Sequence, residues 1–148
     1  MERRTFMKGV AAGSGLLIAS SAGFGGVVMA DDDVIRRLEN RANPSTLEKK
    51  HVPTVEAPVS VTKGEWFTVK VKVGFLIEHP SAENHWIKDI KLLLDKREVA
   101  DTEFEVGGVF APYAEYTIRL EHDTVLTARA ECNLHGEWES DPINIRVI

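Results

Sequence analysis

The chain has 148 residues, 43% hydrophobic and 28% charged, and 23 acidic residues outweigh 18 basic ones to give a net charge of −5 at pH 7. An acidic chain of this length fits one domain with a modest core and lacks the basic surface that nucleic-acid binding requires. A single cysteine excludes an internal disulfide.

The first 30 residues read as a targeting segment. Arg3 and Arg4 precede Phe6 and Lys8 in ERRTFMKG, and an apolar stretch through Leu16, Leu17 and Ile18 follows. This pattern resembles a twin-arginine export signal. Glycines at 13, 15, 23, 25 and 26 dilute the apolar run, which argues against a membrane span, and Val28-Met29-Ala30 has the small-residue character that signal peptidases cut. The expectation is a removable peptide over 1–30, a mature chain starting at Asp31, and a protein that works in the periplasm or another extracytoplasmic space. Twin-arginine substrates generally cross the membrane folded, so a metal can be chosen inside the cell, before copper and zinc compete for the site.

Residues 31–50 are predicted as an arm. Acidic residues in DDDVIRRLENR precede a short helix-like stretch that Asn43-Pro44 should end. The remaining domain, 51–148, changes to period two. Phe67 to Val73 is clearest, with apolar residues at odd positions and mostly polar ones between. Tyr116 to Leu120, Leu126 to Ala130 and Ile143 to Val147 repeat the alternation, and VEAPVSV, WIKDIKLLL and VADTEFEV bring the expected strands to seven. Ile87 to Leu94 also fits helical spacing, but a strand is favoured. Turn residues at Lys63-Gly64, Gly107-Gly108, His122-Asp123 and Asp141-Pro142 separate these runs. The predicted fold is all-β: an immunoglobulin-like, seven-stranded antiparallel sandwich behind a short N-terminal arm.

Chemistry concentrates on the connections. Cys132 stands three residues before His135 in ECNLHGEW, His79 and His85 lie in EHPSAENH, and His51 lies in KKHVP. One thiolate with several imidazoles suits iron, copper, zinc or nickel rather than calcium or magnesium. An unpaired thiol in an oxidising compartment is also protected by ligating a metal. Gly136 should permit a tight turn that lets Cys132 and His135 converge, and Asn133 is placed to donate a hydrogen bond to the sulfur. Trp66, Trp86 and Trp138 read as core or rim packing, with Trp86 beside His85 as a shield for the site.

KHVP at 50–53, HPSAENH at 79–85 and CNLHG at 132–136, in that order, resemble the superoxide reductase family. The chain lacks the cysteine-rich N-terminal iron domain of two-domain desulfoferrodoxins and so resembles the one-iron, neelaredoxin-like class. The resemblance implies one iron per chain, held by His51, His79, His85 and His135 in a plane with Cys132 as axial ligand. It implies reduction of superoxide to hydrogen peroxide at an open sixth position, without release of dioxygen. It also implies a rubredoxin-like or other small electron donor and, as often in the family, a homo-oligomer. His122 matches no ligand.

Family members commonly read Glu-Lys-His before the first ligand, whereas this chain reads Glu48-Lys49-Lys50-His51. Lys50 falls in register with the lysine that attracts superoxide and is the expected catalytic residue. Lys49 takes the place of the glutamate that caps oxidised iron. On an extended segment the one-residue displacement turns Glu48 away, so solvent or hydroxide is the expected sixth ligand. Two alternatives belong to other classes. A periplasmic thiol-based sulfur carrier would use Cys132 as its cargo group, although such carriers place that cysteine in a glycine-rich tail. A non-catalytic zinc- or copper-binding sandwich module would use the same donors, although five exceed the usual four of structural zinc.

Overall fold

The computed structural model describes residues 34–148, so the export signal and cleavage site expected over 1–31 lie outside the described residues. The only helix among the described residues is α1 (Thr46–His51). Nine strands follow: β1 (Pro53–Glu56), β2 (Ser60–Val61), β3 (Phe67–Val73), β4 (Ile87–Leu94), β5 (Arg97–Glu103), β6 (Tyr113–Ile118), β7 (Thr124–Cys132), β8 (Gly136–Glu139) and β9 (Ile143–Val147). One sheet has the order β1-β3-β6, and the other runs β2-β9-β7-β4-β5 with β8 also paired to β7.

Alternation builds the core between these sheets. Val69, Val71 and Val73 of β3 face Ile90 and Leu92 of β4 and Leu126, Ala128 and Ala130 of β7, all fully buried. Burying each of the larger aliphatic side chains contributes roughly 1.5–3 kcal/mol. On β7 the inward series 124, 126, 128, 130 continues to Cys132, so strand period alone delivers its sulfur to the end of the core. A register shift between Ile87 and Asp89 in the β4–β7 pairing breaks the alternation, so that Ile87 and Ile90 both turn inward.

The all-β sandwich agrees with the sequence expectation, and Ile87–Leu94 is a strand. Three local expectations are corrected. VEAPVSV divides into β1 and β2, which join different sheets, with β2 parallel to β9. The four-residue β8 adds a strand beside β7. The helix does not lie before Asn43-Pro44. It follows them, because Ser45 accepts from the Glu48 N–H (3.2 Å) while the Glu48 carboxylate accepts from the Ser45 N–H (2.6 Å), a reciprocal capping box.

Candidate metal centre

Three connections at one end of the sandwich converge. α1 supplies His51 as its last residue, and the ring Nδ1–H donates to the Leu47 carbonyl one turn back at 2.7 Å. That bond leaves the His51 Nε2 lone pair facing inward. The β3–β4 loop supplies His79 and His85. Gly74 opens it at φ +110°, where a Cβ would also press on the Glu78 Cα and the His79 N at 2.9 Å, so only glycine fits. His79 is held by its N–H on the Val73 carbonyl (3.1 Å) and by Nδ1–H on the Pro80 carbonyl (2.7 Å), which again frees Nε2. The β7–β8 turn supplies Cys132 and His135, and Gly136 closes it at φ +71°.

Asn133 laces the last two loops together. Its side-chain oxygen accepts from the Trp86 N–H at 2.9 Å and its amide donates to the Asn84 carbonyl at 3.0 Å. The expected donation to the cysteine sulfur is therefore corrected: the Asn133 amide donates to Asn84, and the Asn133 atom that faces the Cys132 Sγ is its oxygen, at 4.0 Å.

The four imidazoles close a ring. Centroids are 4.7 Å apart for His51–His79 and for His79–His85, 5.1 Å for His85–His135 and 4.7 Å for His135–His51, with the His51–His85 diagonal at 6.2 Å. Neighbouring rings are steeply inclined, by 66° to 80°. Donor atoms of His51, His85, Cys132 and His135 all lie within 4.8 Å of one another. His79 stands outside that set of four but completes the ring between His51 and His85. Thus the five residues expected as ligands come together, while His122 is exposed and faces Asp95 at 3.8 Å.

These residues fit a transition metal. The Nε2 atoms of His79 and His85 are buried without any hydrogen-bond partner, a costly arrangement unless an ion receives their lone pairs. His51 Nε2 and His135 Nδ1 face each other at 3.0 Å, and two nitrogens about 2.1 Å from one ion at a right angle would stand about 3.0 Å apart. Cys132 Sγ lies 3.4 Å from the same His135 nitrogen. His51, His79 and Cys132 are buried, whereas His85 and His135 are half-buried, so the solvent side lies toward the latter pair.

Burial also fixes the protonation states. Desolvation pushes His51 and His79 down to about 4, against the raising effect of the Leu47 and Pro80 carbonyls. It lowers His85 as well, helped by the charges of His135 and Lys50. At neutral pH these rings therefore stay neutral, the form that ligates metal. Desolvation raises the Cys132 thiol, so the bare site keeps its proton and a metal must displace it.

Lys50, on the last turn of α1, is half-buried, and its charge reaches His51 and His85. Glu48 is buried in the capping box and also accepts from the Glu39 N–H at 2.7 Å. The segment is helical rather than extended, and both Glu48 oxygens are committed to backbone donors. Two neighbours contact the site in ways the sequence did not indicate: Trp138, read there as packing, and Arg36. Trp138 is buried and stacks on His51 at 5.2 Å and 26°, and its indole N–H donates to the His135 carbonyl at 3.1 Å. Arg36 donates to that same carbonyl at 3.1 Å. The three-residue spacing from His135 to Trp138 was the one available signal; nothing marks Arg36 in the sequence.

Residues 43–141 match the desulfoferrodoxin family. The superoxide reductase of Pyrococcus furiosus is 33% identical over 110 residues, covering 63% of this chain and 86% of that one. Desulfoferrodoxin of Nitratidesulfovibrio vulgaris is 32% identical over 120 residues, covering 81% of this chain and 82% of that one. Among solved structures, the superoxide reductase (neelaredoxin) of Ignicoccus hospitalis superposes with a TM-score of 0.66 at 32% identity, over 77% of this chain and 95% of that one. With the family match spanning most of the described residues and the expected ligands converging in space, the chain belongs to the desulfoferrodoxin family.

Proposed function

We propose that the chain is a superoxide reductase, converting superoxide to hydrogen peroxide with one electron and two protons. The observation that carries this reading is the ring of four imidazoles with a cysteine sulfur at its core end and solvent toward His85 and His135. His51, His79, His85, His135 and Cys132 would hold iron there, and in its ferrous state the ion would supply the electron. Imidazole, an uncharged ligand, would leave a divalent ion there cationic and attractive to a small anion, and the soft Cys132 sulfur would select against hard cations. Lys50 adds positive charge at the same rim and steers superoxide inward. Glu48, held in the helix cap, takes no part.

A thiol-based sulfur carrier needs an accessible cysteine. Cys132 is 1% exposed and ends a core strand, which favours the metal-centre reading.

Two finer points complete the proposal. A small redox protein of rubredoxin type is the electron donor. The twin-arginine pattern at 1–30 supports export, which places enzyme and donor together outside the cytoplasm; fractionation of cells producing the wild-type chain and a variant with Arg3 and Arg4 changed to Lys tests it. The activity itself is tested by exposing the reduced, iron-loaded protein to superoxide and measuring both products. Reduction yields peroxide without dioxygen, whereas evolution of dioxygen in equal amount to peroxide would mark a dismutase and overturn the reading.

A further inference from the structure

Arg36 belongs to the arm, 99 residues before His135, yet its backbone is fixed beside that turn. Its N–H donates to the Glu137 carbonyl at 3.0 Å and its carbonyl accepts from the Glu139 N–H at 2.8 Å, a parallel bridge that adds the arm to the edge of β8. From this anchor the guanidinium reaches the turn between β7 and β8. One amino group donates to the His135 carbonyl at 3.1 Å, and the group lies 5.9 Å from the centroid of the Trp138 ring. A Cβ on Gly136 would stand 2.6 Å from the same Arg36 nitrogen, so a side chain there would push the guanidinium off this position, and φ +71° favours glycine independently.

We propose that Arg36 is a positioning residue of the metal centre, which with Trp138 grips the His135 carbonyl and so aims the His135 imidazole into the site. The inference rests on the metal-centre reading above. A carbonyl oxygen has two lone pairs, and here both receive donors, one of them charged. The peptide plane after His135 is thereby held in a turn whose residues are otherwise half-buried or exposed. His135 makes close donor contacts, 3.0 Å to His51 and 3.4 Å to Cys132, so a rotated turn would open the ring at this corner. Trp138 links the same clamp to His51 by stacking. Arg36 is exposed on its outer side, but the bridge to β8 has already ordered its backbone, which limits the further entropy lost in holding the contact.

The test compares iron release from the reduced, loaded full chain into a ferrous chelator for wild type, Arg36→Met, Arg36→Lys and Arg37→Met, together with proton–nitrogen NMR of the metal-free proteins. Arg37, on the same arm, pairs with Glu139 of β8 and has no hydrogen bond to His135, so its variant reports arm stability alone. Arg36→Met is expected to release iron about tenfold faster, a typical effect for a group that orients a ligand. Arg36→Lys should fall between it and wild type, and Arg37→Met should match wild type. The Trp138 indole signal should move in Arg36→Met and stay in place in Arg37→Met. Release from Arg36→Met within twofold of wild type overturns the inference; if that variant does not fold, wild-type release from Arg36→Lys does so. A wild-type chain that takes up no iron overturns the metal-centre reading and this inference with it.

Discussion

Trp138 stacks on the imidazole of His51, with centroids 5.2 Å apart and planes inclined by 26°. The contact joins the end of α1 to β8, two elements separated by most of the domain, at the ligand pair whose nitrogens stand 3.0 Å apart. One indole thus supports both histidines, through its face for His51 and its N–H for the His135 carbonyl.

The two supports separate by mutation. Trp138→Phe keeps a ring against His51 and loses the hydrogen bond, at a cost of about 1 kcal/mol in urea unfolding. Trp138→Ala removes both and leaves a cavity, at a cost of about 3–5 kcal/mol. Iron release should quicken in both variants, more in the second. Equal stability of the two variants would show that the stacked face contributes nothing.

Glu48 is a structural carboxylate. The Ser45 side chain, then the backbone N–H groups of Glu39 and Ser45, hold it down at about 2, below its ordinary 4.5. A lowered carboxyl stabilises the fold above the ordinary value, and that stability is lost as pH falls toward 2. Ser45→Ala should cost about 1 kcal/mol at neutral pH. Glu48→Ala should weaken the fold and lose the acid-side slope, while the visible spectrum of the oxidised, iron-loaded protein stays that of wild type. A changed spectrum in Glu48→Ala would instead place that carboxylate at the metal.

Asp89 has the opposite sign. Desolvation raises it to about 7, only partly countered by Lys91 at 3.8 Å, and Asp101 and Glu131 push it further up. Between its ordinary 3.8 and about 7 the folded chain binds more protons than the unfolded one, so stability falls as pH rises through this window. Asp89→Asn removes the penalty, and Lys91 keeps Glu137 at 3.5 Å. Urea unfolding at pH 5 and pH 8 should show wild type losing stability relative to Asp89→Asn. A pH slope identical in the two proteins would show that Asp89 ionises freely in the fold.

The proposed role of Lys50 works through charge alone. Lys50→Ala should slow superoxide capture roughly three-fold at low ionic strength and flatten the salt dependence, because steering is screened as salt rises. Stopped-flow rates across a salt series check this, and a rate unaffected at every ionic strength removes Lys50 from the mechanism.

The candidate ligands were legible because metal chemistry restricts residue types: Cys132 with His135 and the paired His79 and His85 stand out in the sequence. Most strands were legible because β3 and β7 alternate cleanly, each with one face in the core. The helix was missed at its start. Asn43-Pro44 reads as a stop, yet Ser45 and Glu48 spell a capping box directly after it. β8 is too short to show a period, with one buried residue in four. Arg36 was illegible for a different reason. Its role depends on a contact 99 residues away, and an arginine among arm residues carries no local sign of where its side chain ends.

The most direct measurement is visible absorption of the purified, iron-loaded wild-type chain and of Cys132→Ser through one cycle of oxidation and reduction, with metal analysis on the same samples. Wild type is predicted to hold about one iron per chain and to show a red-region band that appears on oxidation and bleaches on reduction, and Cys132→Ser to lack that band. A wild-type protein that stays colourless after anaerobic iron loading, or a band that survives in Cys132→Ser, would contradict an iron centre ligated by this cysteine.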